Sequence, residues 1–285
     1  MIAKPLVAAT DGSEESLRAV EWAAREAVVR SAPLRIVSAV QVPAMIGLQV
    51  RPDRDFVADL IHHERDQAFS AAVARAAEVA PGLQVETVPL SGPPAQAVTE
   101  SGSGALMLVL GSHGSGAFGW MALGSVSRYA AAHASCPVVV IRGETAAVRR
   151  QVGIGIGDLD ACADSLTFAF GEASLRKASL MAIHALHLPA ISRAWPSSSD
   201  LAGIEADAAR QLAGLLDTWQ KKYPDVQVSQ DVVHGHTGRA LVGLSARADL
   251  VVIGRHAGHP VPGPGSVRHA VLNHALDAVA VVPSP

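Results

Sequence analysis

The chain has 285 residues, 49% of them hydrophobic and 17% charged, enough for a sizeable core in one large or two small domains and too apolar for disorder. A net charge of −3 with no long basic run argues against a nucleic-acid-binding surface, and no stretch approaches the roughly 20 apolar residues of a membrane span. There is no signal-peptide pattern, and Cys136 and Cys162 stand far apart outside any Cys-x-x-Cys, so a reduced, cytoplasmic compartment is expected.

Apolar runs alternate with helical periods. In chain order they predict a strand at 5–9, a helix at 15–30, a strand at 34–40, a helix at 53–79, a strand at 84–90, a helix at 94–101, a strand at 106–110, a helix at 125–134 and a strand at 137–141. Leu17, Val20, Ala24 and Ala27 put one apolar stripe on the first helix. Strands alternating with helices imply right-handed βαβ units. Val, Leu and Ile run almost unbroken through the strands, as in a parallel sheet covered on both faces. The fold class is therefore α/β, doubly wound and five-stranded, of flavodoxin-like or closely related order, with ligands expected beyond the C-terminal strand ends. The stretch 45–52 reads as a flexible segment before the long helix and a candidate lid.

The pattern then repeats. The segment from Leu108 (Leu-Val-Leu-Gly-Ser-His-Gly) recurs from Val251 as Val-Val-Ile-Gly-Arg-His-Ala, and Gly124-Ser-Val-Ser-Arg recurs from Gly265 as Gly-Ser-Val-Arg-His. Matches in the same order at a near-constant offset mean a duplicated domain. The expected domains are 1–143 and 151–285, joined by a polar linker.

Two places in the first copy could meet a ligand. Asp11 closes the first strand in Ala9-Thr10-Asp11-Gly12-Ser13, either as a helix N-cap or as a ligand contact. The loop after the fourth strand has the spacing G-x2-G-x9-G-S, through Gly111, Gly114, Gly124 and Ser125. Glycine frees backbone N–H groups to converge on an anion, and the following helix adds its dipole. No Lys follows the last Gly, so it is not a P-loop, and its place after the fourth strand excludes the dinucleotide fingerprint. Ser125 and Ser127 could offer hydroxyls to phosphate or cap the helix. Arg128 could add a charged contact or sit on a solvated face.

Taken together, Thr-Asp-Gly-Ser after the first strand, Gly-Ser-His-Gly after the fourth, then Gly-Ser-Val-Ser and Cys-Pro-Val-Val-Val, resemble the universal stress protein family and its ATP-binding subgroup, over essentially the whole chain as a tandem pair. The resemblance implies an adenine nucleotide alpha hydrolase-like fold with the last strand of each domain at an edge. It implies an adenine nucleotide site, for ATP with or without Mg²⁺. Ala9, Asp11 and Ala39 would line the adenosine, the backbone of Leu110, Gly111, His113 and Gly114 would cover ribose and phosphates, and Gly124, Ser125, Val126 and Ser127 would hold the phosphate tail. The His113 side chain would face solvent. It further implies antiparallel pairing of the last strands between domains, within the chain or in a homodimer.

The second copy departs from this pattern. Gly157 stands at the position of Asp11, Ala257 at that of Gly114 and Arg268 at that of Ser127. Its loop is two residues shorter and carries Pro260, Pro262 and Pro264, which lack N–H donors. The second domain is expected to bind ATP poorly or not at all, although Gly265-Ser266-Val267 could still receive an anion. The twelve histidines include His62-His63, His234-x-His236 and His256-x2-His259, none in a metal-binding spacing, so no metal is expected. No catalytic constellation is legible. The expected role is nucleotide-dependent stress regulation or sensing, with at most slow ATP hydrolysis; the alternatives are a nucleotide-free interaction protein of the same fold and a nucleotide-using enzyme on it. The protein partner is unknown from sequence.

Overall fold

Four small and branched apolar residues, Leu6–Ala9, form β1, buried along nearly its whole length. In the computed structural model, which describes residues 3–39, 54–114, 123–143, 148–186, 198–234, 237–255 and 266–284, this strand is the centre of the first unit's sheet. It pairs in parallel with β2 (Leu34–Ala39) on one side and β4 (Met107–Gly111) on the other, in the registers Leu6↔Leu34 and Leu6↔Met107. β3 (Val85–Leu90) extends the sheet beyond β2, and β5 (Val138–Ile141) beyond β4, again in parallel. The strand order is β3-β2-β1-β4-β5.

Four helices connect these strands: α1 (Glu14–Arg30), α2 (Arg54–Val79), α3 (Pro94–Ser101) and α4 (Ser125–His133). The chain leaves β1 toward β2 and later leaves β4 toward β5, the opposite way. Right-handed crossovers therefore place α1 and α2 on one face and α3 and α4 on the other, and these pairs pack together. β1, β2, β4 and β5 are the buried strands expected from their composition. β3 differs: Glu86, Thr87 and Pro89 are exposed, because it is an edge strand, a position expected from sequence only for the last strand.

The chain divides into Met1–Arg142 and Gly143–Pro285. The second unit repeats the order as β8-β7-β6-β9-β10, with β6 (Gln151–Ile156), β7 (Ser179–Leu186), β8 (Val228–His234), β9 (Leu250–Arg255) and β10 (Ala278–Pro283) all parallel. Its helices are α5 (Ala163–Arg176), α6 (Ser198–Lys222), α7 (Thr237–Ser245) and α8 (Val267–His274). Arg149, expected in the linker, belongs to this unit. Its N–H donates to Asp249 Oδ1 at 2.6 Å, and its guanidinium pairs with the buried Asp277. Among the described residues no helix is long and apolar enough to cross a membrane.

Candidate functional site

In a doubly wound sheet a crevice opens where neighbouring strands send the chain in opposite directions. In the first unit that point lies between β1 and β4, and a cavity of about 460 Å³ opens at their C-terminal ends. All eleven residues singled out from the sequence line it. Ala9, Ala39 and Leu110 form its apolar side, Asp11 one wall, and Gly111, His113 and Gly114 the loop after β4. Gly124, Ser125, Val126 and Ser127 close the far end. Thr10, Ser16, Leu123 and, from α3, Pro94 and Val98 also line it and were not singled out.

The turn that carries Asp11 is held from below. Asp11 is not the helix cap: Ser13 caps α1, its hydroxyl accepting the Ser16 N–H at 3.3 Å. Asp11 Oδ1 instead receives the Ser13 N–H at 3.1 Å and the Ser13 hydroxyl at 2.6 Å, an Asx turn two residues before the helix. The buried Ser16 hydroxyl lies 3.1 Å from Thr10 Oγ1, donates to Ser13 O at 2.8 Å and accepts the Asp11 N–H at 3.4 Å. Ser16 was missed because a serine in a first helical turn looks like any capping-region residue; only the β1–α1 turn reveals its work.

The glycines of the loop are close-approach residues. A Cβ on Gly111 would stand 2.8 Å from the Glu15 backbone, and one on Gly114 would stand 2.3 Å from Asp11 Oδ2. Gly124 donates its N–H to Ser112 O at 2.8 Å and is the N-cap of α4, without a side-chain cap. The first-turn N–H groups of α4 therefore face the cavity with no capping oxygen. Neither Ser125 nor Ser127 caps this helix. Ser127 is buried and donates its hydroxyl to Gly111 O at 2.6 Å, tying α4 to β4, so that proton is not offered to a ligand. Arg128 is exposed. The His113 side chain, expected to face solvent, is only partly exposed: Nδ1 lies 3.0 Å from Ser112 Oγ and Nε2 lies 3.5 Å from Glu15 Oε1.

Among the described residues the second unit lacks most of this arrangement. Glu26 and Glu172, each buried and paired with the arginine four residues on, mark one place in α1 and α5. By that register Cys162 stands where Ser16 does, and Leu159 where the Ser13 cap does. α5 starts at Ala163, a turn later than α1. The Cys162 thiol donates to Leu159 O at 3.2 Å, and burial, the largest influence, pushes its pKa up to about 11. Asp158 accepts the Asp160 N–H at 2.9 Å in its own turn. Gly155 takes the place of Ala9, and a Cβ there would meet Leu241 Cδ1 at 2.5 Å; the fully buried Leu241 of α7 fills this side of the sheet. α8 is capped by Ser266, whose hydroxyl accepts the His269 N–H at 3.1 Å. Burial, and next the neighbouring charge of Arg255, lower the pKa of Arg268.

His62 and His63 lie on α2 and contact Arg65 and Gln67. Cys136 is buried. Trp120, the 45–52 stretch and 256–265, with the three loop prolines and Ala257, lie outside the described residues.

Residues 3–142 and 149–283 each match the universal stress protein family. A universal stress protein of Mycobacterium tuberculosis is 34% identical over 97% of this chain and 96% of its own length. One of Mycolicibacterium smegmatis is 32% identical over 97% and 96%. A crystal structure of a universal stress protein from Archaeoglobus fulgidus shares the fold at a TM-score of 0.71 and 16% identity, covering 99% of both chains.

Proposed function

Because this chain belongs to the universal stress protein family, with one copy of the domain in each half, we propose that it is a cytoplasmic stress-response protein that binds ATP in its first unit. It acts as a nucleotide-dependent regulator or sensor and not as a fast enzyme. One observation carries the reading. The cavity between β1 and β4 joins an apolar side and a carboxylate to the uncapped N-terminus of α4. That is the polarity of a nucleotide, with a flat base and ribose at one end and an anionic tail at the other.

The donor set fits. Ala9, Ala39, Pro94 and Val98 would take the base, and Asp11 the ribose hydroxyls. The N–H groups of Gly114, Ser125, Val126 and Ser127 would take the phosphates, with Mg²⁺, where present, held through them. ATP supplies a polyanion whose presence or loss changes the charge at the start of α4. No lysine follows Gly124, so the charge that a P-loop places on the transferred phosphate is missing, and turnover is at most slow. The second unit has no counterpart of Asp11, a filled apolar side and a capped helix, and binds ATP poorly or not at all.

Equilibrium dialysis of nucleotide-stripped protein against labelled ATP, with GTP as competitor, tests this. Retention of ATP in preference to GTP supports the reading. No retention leaves a nucleotide-free interaction protein of the same fold.

A further inference from the structure

At the rim of the first unit's cavity lies a linked group of side chains that the nucleotide reading leaves unused. Ser112 Oγ sits 3.0 Å from His113 Nδ1, and His113 Nε2 sits 3.5 Å from Glu15 Oε1. Ser112 is buried, while the side chains of His113 and Glu15 are 23% and 25% exposed. A carboxylate only accepts, so a neutral ring suited to both neighbours has its proton on Nε2, toward Glu15, and accepts the Ser112 hydroxyl at Nδ1. A hydroxyl can turn. If the ring gains a second proton, Ser112 accepts from Nδ1 and Glu15 pairs with Nε2, and no group has to move.

The position is closely packed. Gly111, two residues before His113, lies against the Glu15 backbone, and a Cβ on Gly124 would stand 3.2 Å from His113 Cα. Among the described residues the charges on the surrounding elements are few. On α1 are Glu15 and Arg18, whose Nη2 lies 3.2 Å from Glu15 Oε1. In the turn after β1 is Asp11, against Gly114. On the first turn of α4 is Arg128, exposed. An anion in this cavity shares its lining with the Asp11 carboxylate, and His113 lies in the same lining, braced from behind by Glu15. Imidazole is a side chain that can gain a positive charge, and an imidazolium here would place a cation in the lining that receives the anion.

We propose that anion binding in this cavity is coupled to proton uptake by His113, and that Glu15 is the positioning residue that holds the imidazole for it. The proposal rests on the nucleotide reading of the same cavity and adds a side-chain role where that reading uses only the backbone of His113. Linkage makes the coupling reciprocal: bound phosphate favours the imidazolium, and the imidazolium favours bound phosphate.

The test is ATP calorimetry on the full chain in buffers of different ionisation enthalpy, for wild type, His113→Gln and Glu15→Gln, with thermal melts as a folding control. The protonation of ATP itself is common to all three and cancels in the differences. Wild type takes up a larger fraction of a proton per ATP than His113→Gln, and its affinity ratio between pH 6 and pH 8 exceeds that of the variant by about fivefold or more. Glu15→Gln also lowers the uptake, which a merely structural brace would not do. Equal uptake in wild type and His113→Gln, with ATP bound by both, overturns the proposal and leaves the nucleotide reading standing. Should His113→Gln fail to fold, uptake in Glu15→Gln equal to that of wild type overturns it. If wild type binds no ATP at either pH, the nucleotide reading fails and this proposal falls with it.

Discussion

Asp11 and Gly114 form a matched pair, since the carboxylate occupies the space a Cβ on residue 114 would need. Gly114→Ala must displace either Asp11 or the loop, and ATP affinity should fall at least tenfold. Asp11→Ala removes a charged hydrogen-bond partner, worth about 1.5–3 kcal/mol, so affinity should fall roughly tenfold to a hundredfold. Competition binding with a fluorescent nucleotide checks both. Asp11 and the loop glycines were visible in sequence as short motifs at fixed spacing. Ser16 was not, because its hydroxyl acquires its role only when the β1–α1 turn folds back on it. In the second unit Cys162 takes that place as an inert thiol. Its pKa, pushed up by burial, keeps it protonated throughout the physiological range. Labelling of native protein by iodoacetamide at Cys162, followed by peptide mass spectrometry, should be slow at pH 8 and accelerate only as the pH nears 11. The sign for stability follows: the unfolded thiol ionises first, so the stability contributed by the neutral buried thiol is lost as the pH rises from about 8.5 toward 11.

The two copies differ most in how α4 and α8 begin. α8 satisfies its own first turn through Ser266, whereas α4 starts at Gly124 with no side-chain cap. Ser266→Ala should therefore destabilise the second unit by about 1 kcal/mol, as the loss of a serine cap does. Ser125→Ala should change stability little, because Ser125 caps nothing. Thermal melts of the two variants make the comparison. The order and type of the elements were legible from apolar periodicity, because long amphipathic helices and buried parallel strands have different periods. The edge character of β3 was not, since Val85, Val88 and Leu90 carry the β signal while the exposure of Glu86 and Thr87 depends on which strand lies beside them. Nor was the filled side of the second unit. Gly155 and Leu241 are 86 positions apart, and nothing local announces that one makes room for the other.

At the scale of the molecule, duplication has kept one sheet order twice, while key side chains that line the first unit's cavity are not repeated in the second. The strand registers of the two units correspond, Leu6↔Met107 in one and Val152↔Leu250 in the other. What has gone from the second unit is a short list of groups that line the first unit's cavity or shape it: the Asp11 carboxylate, the Ser16 hydroxyl with the Ser13-capped turn that holds it, and the uncapped start of the last helix. The proposed function is therefore asymmetric: ATP binds to the first unit alone. The measurement that tests it most directly is an isothermal titration of ATP into nucleotide-stripped full-length protein, with Asp11→Ala alongside. The expected result is one site per chain in the wild type, and that same single site weakened roughly tenfold to a hundredfold in the variant. Two equivalent sites per chain, or a site that survives Asp11→Ala unchanged, would contradict it.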